Sequence, residues 1–287
     1  MIYDSGADWR AAPHKRVMVF GMSGLGKTHL ASMLRQGGGW FHYSVDYRIG
    51  TRYLGEAIND ELKRQAMTVP ALRELLMTGA IRIASRLGFH DLSPLSAWLG
   101  KPGAPERGGL PFDEYRRRQD AHREAEIAAL RDSPAFIARA QSLYGYANFV
   151  CDTSGSICEV VDPGDPADPL MAELAAAMLP VWIESDARHT EALIARFERA
   201  PKPIYYGPAF LLSAWEEFTA SHPGPVDPDA FVRWTYARAL AHRQPRYRAM
   251  ARWGVTITAA EVAALTSATD FAALIATAID RKQEQER

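Results

Sequence analysis

Cysteine is almost absent from this chain: two in 287 residues, Cys151 and Cys158. Two thiols seven positions apart match neither a zinc-ligand spacing nor a disulfide framework, so reduced, cytosolic thiols are expected. No run of 18 apolar residues occurs, and Met1 to His14 lacks the apolar stretch of a secretory leader. A membrane partner is therefore not expected, and the sequence reads as cytoplasmic. Net charge is only −1, so no global field draws the chain to nucleic acid. Lysine is scarce, six against 27 arginines, and alanine is abundant. GC-rich coding explains that pairing, so arginine content is not read as a signal. The eight histidines show no ligand spacing on an expected helix, and no transition-metal site is expected. Internal repeats and long low-complexity tracts are also missing.

What is present is 47% hydrophobic residues, enough for a large core in one domain or in one domain with an insertion. One octapeptide carries most of the functional information. Gly21-Met22-Ser23-Gly24-Leu25-Gly26-Lys27-Thr28 fits G-x-x-x-x-G-K-[ST], the Walker A pattern. Its fixed positions arise by chance in roughly one chain of this length in a hundred. The context narrows that further. Arg16-Val17-Met18-Val19-Phe20 before it reads as a buried strand, and His29 to Arg35 after it has helical spacing in Leu30, Met33 and Leu34. Glycines let backbone amides curl around an anion, and the helix N-terminus adds its dipole. Gly21, Gly24, Leu25, Gly26, Lys27, Thr28 and His29 thus form a candidate cradle for ATP. Lys27 would act at the β- and γ-phosphates and Thr28 at Mg²⁺.

Strand pattern recurs at Trp40–Asp46, Asn148–Asp152, Leu179–Ile183 and Gly254–Thr258, with helical pattern between. The alternation predicts an α/β fold: a P-loop core with a parallel sheet of about five strands flanked by helices. About a hundred residues between strands two and three exceed a simple crossover and predict a helical insertion there. The expected division is a first part of the core over 1–50, an insertion (lid or substrate region) over 51–147, and the remaining core with C-terminal helices over 148–287. Within it, helices are expected over 112–130 and, opened by Pro134, to Leu143; another is expected over 229–242. The triplet Arg116-Arg117-Arg118 shares its helix with Asp113, Glu114, Asp120, Glu124 and Glu126. That mixture reads as a solvated face rather than a nucleic-acid patch. Tyr205-Tyr206 and the tryptophans read as packing residues.

Three further positions suit phosphoryl chemistry. Asp152 closes the apolar run Phe149-Val150-Cys151, which makes it either a carboxylate for Mg²⁺ or a strand cap. Asp46 ends the second expected strand and Arg48 follows. In a parallel sheet both face the crevice beyond the strand ends, where they would orient an acceptor hydroxyl and clamp an anion, or form a surface pair.

Strand, Walker A, a second strand ending in Asp, and the C-terminal Arg243-Gln244-Pro245-Arg246-Tyr247 together resemble the shikimate kinase branch of P-loop small-molecule kinases, which is nucleoside-monophosphate kinase-like. The resemblance covers about half the chain in scattered blocks. It implies that Arg243 contacts a substrate carboxylate and that Asp46 holds the substrate hydroxyl. It also implies that Arg196-Phe197-Glu198-Arg199-Ala200-Pro201 is an arginine-bearing lid, with Arg199 over the phosphates. The family's glycine triplet after strand three stands here as Asp152-Thr153-Ser154-Gly155-Ser156, and one acid of its strand-two pair is Ser44. The expected function is Mg²⁺-dependent transfer of the ATP γ-phosphate to a small hydroxylated anionic metabolite. The alternative is an ATPase or nucleotide-regulated switch that meets a macromolecule through the insertion. A scaffold with a vestigial loop is disfavoured, because Lys27 and Thr28 are both in place. Oligomeric state is left open.

Overall fold

The computed structural model describes residues 2–285. Five strands form one sheet: β1 (Arg16–Phe20), β2 (Trp40–Ser44), β3 (Asn148–Asp152), β4 (Leu179–Glu184) and β5 (Val255–Thr258). All pairs are parallel, in the order β2-β3-β1-β4-β5. The strands are largely apolar and buried because helices cover both faces of such a sheet, and Val17 to Phe20 are fully buried. The expected α/β class is the observed one. β1 lies between β3 and β4, the strands that follow it on opposite sides, so the crevice for a ligand opens beyond its carboxyl end.

The backbone divides into two compact units. The first holds the sheet and comprises Met1–Val45, Glu126–Ala200 and Arg233–Arg287; the second comprises Asp46–Ala125 and Pro201–Val232. The second unit is thus assembled from two stretches, and 201–232 joins most of the expected insertion. Among the described residues no helix is long and apolar enough to cross a membrane.

Two prolines lie inside helices where breaks were expected. Phe112–Tyr144 is a single helix through Pro134. The missing Pro134 N–H leaves the Leu130 carbonyl without its helical donor, and the Ser133 hydroxyl donates to it instead at 2.7 Å. One residue earlier, the Tyr43 hydroxyl donates to Ala129 O at 2.6 Å, tying this helix to β2. Pro228–Met250 likewise runs through Pro245, so Arg243 to Tyr247 are helical. The second strand is shorter than expected. It stops at Ser44, and Asp46 sits in the first turn of the short helix Val45–Arg48.

Charged residues expected at a solvated face are also relocated. Arg118 is buried in the second unit, with Nε on Glu114 Oε1 at 2.7 Å, Nη2 on Glu61 Oε2 at 3.1 Å and Nη1 on Trp98 O. Glu126 is fully buried in the first unit. Arg116 and Arg117 remain exposed. In the second unit Phe112 stacks on Trp215 at 4.3 Å, and Gln119 Oε1 accepts from Tyr206 N at 2.8 Å. Tyr205 and Tyr206 are buried packing residues, as read from the sequence.

An unexpected helix, Gly6–Ala11, packs on the C-terminal helix Ala268–Gln285. Gly6 N donates to Asp280 Oδ1 at 2.7 Å, and the fully buried Trp9 donates its indole N–H to Ala272 O at 2.8 Å.

Candidate functional site

The Walker A loop leaves the carboxyl end of β1 and enters the helix Lys27–Gln36. Gly21, Gly24 and Gly26 have φ of 142°, 90° and 89°, values that L side chains rarely adopt. Gly21 also lacks room, since a Cβ there would stand 2.7 Å from Ile183 O of β4. Gly26 is the helix N-cap and brings no side chain to the first amides, so those donors point to an incoming anion rather than to a capping oxygen. Ser23 and Gly24 are exposed, Thr28 half-buried and His29 exposed, while Leu25 anchors the loop from the buried side. Lys27 is buried too. Its Nζ donates to Gly21 O at 2.8 Å and Met22 O at 3.1 Å, so the ammonium is held inside the loop's own curve. With the sheet around it, this is an α/β core that carries a Walker A loop at the end of its central strand, and the loop's glycines, amides and lysine fit a triphosphate.

Beyond β3 a second turn lies against the first. Asp152 is in register with Val19 of β1 and Ser44 of β2, and its Oδ2 is 3.5 Å from His42 Nε2. Thr153 donates through N and Oγ1 to Val19 O, at 3.2 and 3.0 Å. The Ser154 and Ser156 hydroxyls both donate to the buried Glu126 carboxylate, Ser156 at 2.7 Å. Gly155 then passes so close to the Walker A loop that an added Cβ would meet Ser23 Oγ at 1.9 Å. Sequence reasoning set Glu126 on a solvated face and gave Gly155 no role.

Arg243 is on this same side of the fold but is buried rather than open to a ligand. Its Nε donates to Glu159 Oε1 at 3.0 Å and its Nη1 to Gly155 O at 2.9 Å. Burial works against its charge, but the Glu159 carboxylate, together with Cys158 and Tyr247, more than offsets that and holds the guanidinium charged above its ordinary range. Both of these bonds go to the protein itself, one to a carboxylate and one to a backbone carbonyl. Tyr247, one helical turn on, donates to the same Gly155 O at 2.8 Å, and Arg246 Nε donates to Cys158 O at 2.8 Å. Both cysteines are buried and free. Burial pushes the Cys158 thiol up to about 12, with Arg243 pulling the other way, and pushes Cys151 well above its usual range. Both stay protonated near neutrality. Native protein at pH 8 should accordingly resist iodoacetamide, with both thiols reacting in denaturant; rapid labelling of native Cys158, read by mass spectrometry, would contradict this burial.

The arginine over the loop is Arg196, three residues before the expected one. On the helix Ala187–Arg199, Leu193 and Arg196 face Gly24, where a Cβ would meet Arg196 Nη2 at 2.3 Å and Leu193 Cδ2 at 2.7 Å. Phe197 fixes the helix by stacking on Tyr236 at 3.8 Å. Arg199 instead donates its Nε to Ala195 O of its own helix. If an exposed guanidinium beside Gly24 serves the phosphates, Arg196→Ala should lower turnover about tenfold or more, and Arg199→Ala less than twofold. Equal effects of the two in a steady-state ATP assay would refute the assignment.

Asp46 and Arg48 belong to the second unit and are half-buried. The Arg48 guanidinium lies over the Tyr53 ring, 5.8 Å from its centroid.

No protein-family model matches the chain, and comparison with curated proteins finds no match. Among solved structures, one similar to this chain is a shikimate kinase from Bacteroides thetaiotaomicron. The two are 15% identical, with a TM-score of 0.38, over 95% of this chain and 98% of that one. At that distance the likeness bears on neither activity nor substrate.

Proposed function

We propose that this protein binds ATP with Mg²⁺ and transfers the γ-phosphoryl group to a small hydroxylated, anionic metabolite. The observation that carries the reading is the Walker A loop at the carboxyl end of the central strand, with Lys27 drawn onto Gly21 O and Met22 O behind uncapped helix amides. Those amides and Lys27 would take the phosphate charge, and Arg196 would close over it. Thr28 and Asp152 would hold the metal, which when bound neutralises charge on the β- and γ-oxygens. On the acceptor side, Asp46 would orient the hydroxyl and Arg48 the anionic group, both on the chain that leaves the carboxyl end of β2. Because the transition state is loose, positioning and electrostatics supply nearly all of the acceleration. A cytoplasmic setting suits this role and its reduced thiols.

One observation favours a second reading, an ATPase or switch with a macromolecular partner. The helix Pro70–Met77 buries no residue, and Val69, Leu72, Leu75 and Met77 are 45%, 37%, 42% and 74% exposed. Apolar surface of that kind marks interaction sites. The test is incubation with γ-labelled ATP and a fractionated cell extract. Label transferred to a small molecule supports the kinase; ATP hydrolysis stimulated only by the macromolecular fraction, with no labelled metabolite, supports the switch.

A further inference from the structure

The helical element Arg243-Gln244-Pro245-Arg246-Tyr247 carries two donors to one acceptor, the carbonyl of Gly155. Two bonds on one carbonyl, from residues four apart on a helix, fix both its position and its direction. Gly155 in turn has no room on its other side, where Ser23 Oγ and N stand 1.9 and 2.9 Å from an ideal Cβ position. Arg243 cannot swing away cheaply, because Glu159 holds its Nε and is itself buried, with His242 Nε2 3.5 Å from its second oxygen. The far side of the turn is fixed independently by Glu126 through Ser154 and Ser156. The turn is thus gripped from both flanks and pressed on the loop residue whose neighbours would meet the phosphates.

We propose that Arg243, Tyr247 and Glu159 are positioning residues for the nucleotide site: through the Gly155 carbonyl they hold the 152–156 turn against Ser23 and so keep the Walker A amides preorganised. This rests on the nucleotide reading above, but it gives the C-terminal arginine a different task from gripping an acceptor. It predicts that loosening the grip frees the loop before it unfolds the protein, since the same turn remains tied to β1 by Thr153 and to Glu126 by its serines.

The experiment uses full-length protein and two matched variants. Tyr247→Phe removes the hydroxyl that reaches Gly155 and the Cys158 thiol, leaving the ring to pack against Phe20. Arg246→Gln removes the neighbouring bonds to Cys158 O and Val161 O, which do not touch the loop. Hydrogen exchange of a peptide spanning 21–28, without nucleotide, should speed up several-fold in Tyr247→Phe and stay unchanged in Arg246→Gln. Affinity for a fluorescent ATP analogue should fall about tenfold in the first and less than twofold in the second. Arg243→Lys should resemble Tyr247→Phe, because a point charge cannot serve Glu159 and Gly155 in the geometry of the planar fork. Unchanged loop exchange in Tyr247→Phe, or equal losses of affinity in Tyr247→Phe and Arg246→Gln, would overturn the positioning role. Wild-type protein that does not bind the analogue would overturn the nucleotide reading beneath it, whatever the exchange shows.

Discussion

Lys27→Ala should leave ATP affinity at least a hundredfold weaker than wild type, the largest single loss expected from any substitution in this chain. The ammonium is enclosed by the loop, close to two carbonyls that hold it at 2.8 and 3.1 Å. Charge-assisted hydrogen bonds are worth roughly 1.5–3 kcal/mol each, and a lysine serving two phosphates makes at least two. A loss of about 3 kcal/mol is already more than a hundredfold in Kd. The apo protein should also melt a few degrees lower, because Gly21 O and Met22 O lose a buried donor. Calorimetry on the folded variant separates the two effects. Nucleotide affinity equal to wild type would end the phosphate-cradle assignment. Lys27→Arg should not restore binding, because the guanidinium fork needs more room than a curve that already encloses the ammonium.

The sheet was legible because its strands are short runs dominated by apolar, β-branched and aromatic residues and bounded by turn residues. β1 and β3 have the bounds their residues predict, and β4 and β5 differ only at their ends. β2 stops two residues early, where the chain turns into the helix Val45–Arg48, because nothing in Trp40-Phe41-His42-Tyr43-Ser44-Val45-Asp46 marks the switch. The Walker A loop was legible because its glycines answer to backbone geometry, which depends little on tertiary context.

The missed residues share a different cause. Treating Pro134 as a helix start cut one 33-residue helix in two, and the cut hid its stripe. Read continuously, Tyr115, Arg118, His122, Glu126, Leu130, Ser133, Ile137 and Ala140 follow each other at three- and four-residue steps, and all are buried. Arg118 and Glu126 therefore occupy core positions of an amphipathic helix, where a charge persists only with partners. That signal was available in the spacing. The arginine beside Gly24 was available too: from the buried Leu193, Arg196 lies about 60° around the helix and Arg199 about 120°, so only the first shares the inward side. Gly155 was not available. Its reason is a backbone passing Ser23, a contact between residues 132 positions apart that no local pattern encodes. The short helix at Gly6–Ala11 is similar, since Trp9 finds its partner at Ala272.

Asp152→Asn should raise the Mg²⁺ concentration needed for half-maximal ATP turnover about a hundredfold while changing metal-free nucleotide affinity less than twofold. The carboxylate stands at the end of β3, in register with Val19 one residue before the Walker A strand ends, and it is buried. A buried acid at a strand end needs a reason. The neighbouring His42 Nε2, at 3.5 Å, is a weak one by distance, whereas a divalent ion held jointly with the Thr28 hydroxyl would be a strong one. Asparagine keeps the shape and one oxygen ligand but removes the charge, which is the larger part of binding a hard cation. The competing role, a cap that holds β3 to β2, predicts the opposite division. In that case the melting temperature falls, and the Mg²⁺ titrations of the two proteins overlay. Measuring both on the same preparations decides between them. A variant that loses stability but keeps its metal dependence would make Asp152 a structural residue and leave Thr28 as the chain's one assigned metal ligand.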